Sequence, residues 1–125
     1  MTQSKPLLAS CHCGAVKMEA LVKPASLTEC NCSICRRYGA KWAYFTNRTA
    51  RVHCSPDSVT AYSWGDREIA FFHCITCGCL THYESTVKSD NSRVAINARM
   101  MEAADISQVP TRYFDGASSW TYFER

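Results

Sequence analysis

Nine cysteines in 125 residues, grouped at intervals of one and two residues, constrain this chain more than any other feature. They fall as Cys11-x-Cys13, Cys30-x-Cys32-x2-Cys35, a lone Cys54, and Cys74-x2-Cys77-x-Cys79. In a small secreted chain such a density would mean a disulfide framework, but the count is odd. The first ten residues carry one lysine and only Leu7-Leu8-Ala9 as an apolar stretch, short of an export signal's core. Apolar runs such as 69–72 are too short to cross a bilayer. The expectation is a cytoplasmic protein that is not membrane-bound. In a reducing compartment, thiolates at these spacings are stabilised by zinc, which is redox-inert and accepts sulfur in a tetrahedral shell.

The rest of the composition is that of an ordinary soluble domain, 46% hydrophobic and 20% charged, and the length predicts one domain over 1–125. The formal charge is +3, with the basic residues scattered apart from the pair Arg36-Arg37. That distribution argues against nucleic acid as a partner, because phosphate recognition usually shows as a basic stripe or a reading motif. Oligomeric state is not legible.

Segments rich in β-branched and aromatic residues recur at 15–22, 41–46, 59–64, 68–73, 80–86 and 93–98, so the chain reads as mostly β, built of short antiparallel strands. Turn chemistry at Asn47, Ser55-Pro56-Asp57, Gly65-Asp66 and 89–92 separates them. Helical signal is confined to a turn at 33–38 and another near 117–123.

In an extended Cys11-His12-Cys13 both thiols would leave one face and hold one metal, with His12 pointing away. Cys74-x2-Cys77-Gly78 suits a tight knuckle whose amides turn toward sulfur, Gly78 supplying the positive φ that closes it. Cys30, Cys32 and Cys35 provide three thiolates, one short of a tetrahedral shell. A three-ligand zinc has an open position for water or a substrate thiol. Cys79, Cys54 or one of His53, His73 and His82 would make the site inert by filling it. Spacing decides neither that question nor which groups share a metal.

Taken together, Cys11-His12-Cys13-Gly14-Ala15-Val16, Cys30-x-Cys32-x2-Cys35-Arg36-Arg37 with Gly39-Ala40, and His73-Cys74-x2-Cys77-Gly78 resemble the glutathione-dependent formaldehyde-activating enzyme and centromere protein V family, from about Ser10 to Trp120. The resemblance implies a β-tent fold with two zincs. One, structural, would be held by Cys11, Cys13, Cys74 and Cys77, and the second by Cys30, Cys32 and Cys35. In members with the named activity the second zinc engages the thiol of glutathione and promotes its addition to formaldehyde, a carbon-sulfur lyase reaction in reverse.

Ionisation alone cannot carry such chemistry. A thiol of pKa about 8.5 is roughly 3% ionised at pH 7, so full ionisation gains about thirtyfold in thiolate. A Brønsted slope of about 0.4 to 0.5 returns roughly tenfold of that gain as nucleophilicity falls with pKa. Positioning of aldehyde and thiolate must supply the rest. Arg36 and Arg37 are the candidates to fork onto carboxylates of a glutathione-like substrate, or to offset the charge of a zinc tristhiolate. Trp42 and Tyr44 follow closely enough to wall a pocket, and the three strand histidines read as satisfied structural residues. The competing expectation is a non-catalytic zinc module that binds a thiol or a protein partner.

Overall fold

The computed structural model describes residues 5–124. Eleven short strands run β1 Leu7–Ser10, β2 Lys17–Ala20, β3 Leu27–Cys30, β4 Trp42–Thr46, β5 Ala50–His53, β6 Val59–Tyr62, β7 Ile69–Cys74, β8 Leu80–Ser85, β9 Arg93–Asn97, β10 Thr111–Phe114 and β11 Tyr122–Phe123, with two short helices, α1 Ser33–Tyr38 and α2 Ala103–Ile106. The mostly β expectation holds. Strands β1-β2-β5 form one sheet, and β11-β10-β3-β4-β9-β8-β7-β6 form a second. Pairing is antiparallel except for β10, which runs parallel to β3. Among the described residues, no helix is long and apolar enough to cross a membrane.

Burial follows position in the large sheet. Its central strands β4, β8 and β9 are buried along most of their length, whereas edge strand β6 is largely exposed. Leu80 to Tyr83 are buried in succession, as are Val94 to Asn97, because the centre of the sheet is covered on both faces: Val94 and Ile96 face one core and Ala95 the other. The register slips between Phe72 and His73, leaving Thr81 as the extra residue of a bulge. Thr81 satisfies its hydroxyl inside by donating to Phe72 O at 3.2 Å.

The core has two parts, and each underlies one cysteine group. Val16, Met18, Leu27, Phe45 and Ile96 pack with Cys11 and Cys74. Trp42, Phe71, Leu80 and Tyr83 pack with Cys35, and Cys30 and Cys32 lie against them. Tyr83 sets its ring edge-on to Trp42, centroids 4.8 Å apart.

Two expectations are corrected. The 117–123 segment is not helical; it is a turn closed by Trp120 N–H on Asp115 O and Asp115 N–H on Thr121 O, and it leads into β11. The segment at Cys11 is not extended, because β1 ends at Ser10 and the Gly14 N–H closes a turn on Cys11 O at 3.1 Å. Gly14 takes φ 85° there, a conformation that favours glycine.

Candidate functional site

At the first cysteine group the chain folds back on its own sulfurs. Cys11 Sγ accepts the Val16 N–H at 3.3 Å. In the knuckle, Gly78 N–H bonds Cys74 O at 2.8 Å and Gly78 takes φ 79°. The amides of Cys79 and Cys13 hold the Cys77 thiol down to about 5, the condition of a ligand thiolate. Cys13 is pushed up to about 11: the Ala15 amide lowers it, but bonds to neighbouring sulfurs, led by Cys74, keep its proton on. Sulfurs this close cannot all ionise unless a cation shares them.

The sulfur of Cys13 lies 3.7 Å from that of Cys11 and 3.5 Å from that of Cys74. All four sulfurs of Cys11, Cys13, Cys74 and Cys77 lie within 4.8 Å of one another, and all are free thiols. A tetrahedron with zinc-sulfur bonds of about 2.3 Å has edges of about 3.8 Å, so the donor set fits zinc. The pairing implied by the resemblance is the one the geometry brings together.

The second group is wound around the start of α1. Cys30 ends β3, Cys32 is the N-cap of α1, and Cys35 lies inside the helix, which Gly39 ends in a left-handed conformation. The three sulfurs lie within 4.8 Å, and among the described residues no other Cys, His, Asp or Glu joins them. A hydrogen bond from Cys35 holds Cys30 down to about 5 and pushes Cys35 up, while the amides of Cys32 and Gly116 also favour the Cys30 thiolate. Trp42 Nε1–H donates to Cys35 Sγ at 3.4 Å.

A cleft of about 460 Å³ opens on this cluster, lined by Cys30 and Cys35 together with Glu29, Arg36, Arg99, Tyr113 and Phe123. Arg99 Nε donates to Gly39 O at 2.5 Å, and its other end stands 3.9 Å from Glu29. Lys41 reaches the same carboxylate at 4.0 Å.

A family model described as glutathione-dependent formaldehyde-activating enzyme matches residues 6–115. The chain belongs to this family. A crystal structure of a Rhodobacter sphaeroides protein is 33% identical, covers 84% of this chain and 99% of its own, and gives a TM-score of 0.66. The resemblance drawn from the three cysteine motifs is thereby borne out.

Within this formaldehyde-activating-enzyme scaffold the sequence candidates separate. Arg36 lines the cleft, whereas Arg37 turns back to donate to Ser33 O at 2.8 Å on its own helix. Trp42 is fully buried and meets the cluster through Cys35 rather than walling the cleft. Tyr44 is also outside the cleft, under the Arg93 guanidinium. Cys79 bonds Cys77 and packs with the first core, so the sequence candidate for closing the second shell lies beside the other site. Cys54 is half-buried against that same core.

The histidines are partnered as strand residues. His53 pairs with Glu19, and His73 packs on Tyr38. His82 is buried between Thr81 Oγ1 at 2.8 Å and Glu84 Oε2 at 3.0 Å, stacked on Phe72. Sequence reasoning missed Glu29, Arg99, Tyr113 and Phe123 as lining residues. The Arg99 position follows from Asn97, whose side chain accepts the Arg99 N–H and caps a short 3-10 turn, a signal readable as an Asx cap.

Proposed function

We propose that the cleft over Cys30, Cys32 and Cys35 is the active site of a carbon-sulfur lyase-like enzyme acting, in the cytoplasm, on adducts of glutathione or a related thiol with a small aldehyde. The observation that carries this reading is the three-thiol cluster with no fourth protein ligand among the described residues, opening on a cleft lined by Arg36 and Arg99. A structural site would be closed by four ligands, as the first group is. Cys30, Cys32 and Cys35 would hold the zinc, which when bound would supply a Lewis acid that favours ionisation of a substrate thiol.

The chain's own residues supply orientation. Arg36 and Arg99 present guanidinium groups to the carboxylates of the thiol substrate, and Gly39 O fixes the direction of Arg99. The same two cations would offset the negative charge of three thiolates holding a zinc. Trp42 N–H and the amides of Cys32 and Gly116 spread that charge over fixed donors. In the adduct-forming direction, the reverse of the lyase reaction, the thiol gives its proton to water, the sulfur adds to the carbonyl carbon, the C=O π pair moves to oxygen, and that oxygen takes a proton back from water. Holding sulfur and carbonyl at about 3 to 3.5 Å is the larger contribution.

Exchange NMR on glutathione and formaldehyde measures the interconversion rate directly. Acceleration by the parent that disappears in Cys35→Ser supports the proposal; an unchanged exchange rate with the zinc-loaded parent rules out that substrate pair. The competing non-catalytic zinc module predicts thiol binding without acceleration.

A further inference from the structure

The turn at 115–121 touches the three-cysteine cluster with its main chain. A Cβ added to Gly116 would stand 2.6 Å from Cys30 Sγ and 3.2 Å from Cys32 Cβ, so nothing larger than glycine fits there unless the cluster shifts. The Gly116 amide adds to the effects that favour the Cys30 thiolate, after Cys35 and Cys32.

What holds the turn in place is Asn31, the residue between the first two cysteines. Its Nδ2 donates to Asp115 Oδ1 at 3.0 Å, and its Oδ1 accepts the Ala117 N–H at 3.0 Å. Asp115 in turn accepts the N–H groups of Ser118 at 3.2 Å and Ser119 at 3.0 Å. Trp120 closes the turn at φ 60°, a backbone conformation that residues other than glycine rarely take. The ligand segment and the turn thus lock each other across more than eighty positions of sequence.

We propose that Asn31, Asp115 and Gly116 are positioning residues for the second metal centre: the Asn31-Asp115 clasp sets the Gly116 main chain against Cys30 and Cys32, fixing the Cys30 sulfur and walling one side of the site. Access is then left to the side lined by Arg36 and Arg99. Groups that orient a ligand in this way typically change metal affinity by about ten- to a hundredfold. The inference rests on the reading of this cluster as a metal centre.

The test is cobalt(II) titration of the full chain, following thiolate-to-cobalt and d-d absorption, for the parent, Asn31→Ala and Gly116→Ala. Asn31 is exposed, so its variant keeps the assay available if Gly116→Ala does not fold. We expect the second cobalt to bind about ten- to a hundredfold more weakly in both variants, with shifted d-d bands, while the first cobalt and the far-ultraviolet circular dichroism stay unchanged. Two cobalts bound with parental affinity and spectrum in both variants would overturn the clasp alone. A parent that binds a single cobalt would overturn the metal-centre reading together with it. Loss of both cobalts along with the fold in Asn31→Ala would make the clasp a general structural tie and equally overturn the proposal.

Discussion

Removing the Cys74 and Cys77 ligands should cost far more stability than removing Cys32 and Cys35, although each change deletes two thiolates. The difference comes from what each metal joins. A metal bridging Cys13 to Cys74 ties positions 61 apart, and the loop-closure relation assigns such a cross-link about 4 kcal/mol at 25 °C. The second group spans only the start of α1; a loop of about five residues yields about 2 kcal/mol by the same relation, as an upper figure for so stiff a segment. Both double variants also place one hydroxyl in the interior, since Cys74 is 1% exposed and Cys35 8%, so that cost is shared. At about 4 °C per kcal/mol for a chain of this size, Cys74→Ser/Cys77→Ser should lower Tm by about 15 °C. Cys32→Ser/Cys35→Ser should lower it by no more than about 8 °C. Differential scanning calorimetry of zinc-loaded proteins measures both. Equal losses, or a larger loss for the second pair, would refute the assignment of the first centre as the long-range tie.

Other perturbations probe the cleft and the sheet. Arg99→Ala should reduce kcat/KM for glutathione by roughly ten- to a hundredfold in the exchange assay, mostly through KM, as expected for one charged contact to a carboxylate. Trp42→Phe removes the donor to Cys35 and part of a fully buried ring, and should cost about 2 to 3 kcal/mol by urea unfolding. Glu84 is held down to about 2 by its bond from His82, with Lys88 adding to the effect. A carboxyl depressed on folding adds stability above its unfolded value, near 4.5, and loses it as pH falls toward 2. The urea midpoint of the parent should therefore exceed that of Glu84→Gln at pH 6, and the gap should narrow from pH 4.5 to pH 3; a constant gap would count against the ion pair.

The six strand segments legible in the sequence are those where β-branched and aromatic residues alternate over five residues or more, and β4, β8 and β9 form the middle of the large sheet. Strands β3 and β10 were not legible. Leu27–Cys30 has one large aliphatic residue, and its extended form depends on a parallel partner more than eighty residues later. The turn read at 33–38 is the helix α1, which Gly39 ends, whereas the C-terminal turn is held by Asn31, a long-range contact that leaves no local signature.

Ligand spacing marked the cysteine motifs, but the joining of Cys11 and Cys13 to Cys74 and Cys77 came from the family resemblance, and Cys79 shows the limit of spacing. Two residues after Cys77 it lies next to that ligand, because the knuckle returns the chain through the bond from Cys74 N–H to Cys79 O. The cleft was hidden for a related reason. Its lining combines α1 with Arg99, Tyr113 and Phe123, residues that only the sheet order brings together.

Zinc content per chain, measured by mass spectrometry of the metal on purified parent, Cys35→Ser and Cys79→Ser, tests the two-centre account most directly. The account predicts two zincs in the parent, one in Cys35→Ser and two in Cys79→Ser. A single zinc in the parent, or loss of a zinc on replacing Cys79 while Cys35→Ser keeps both, would contradict it.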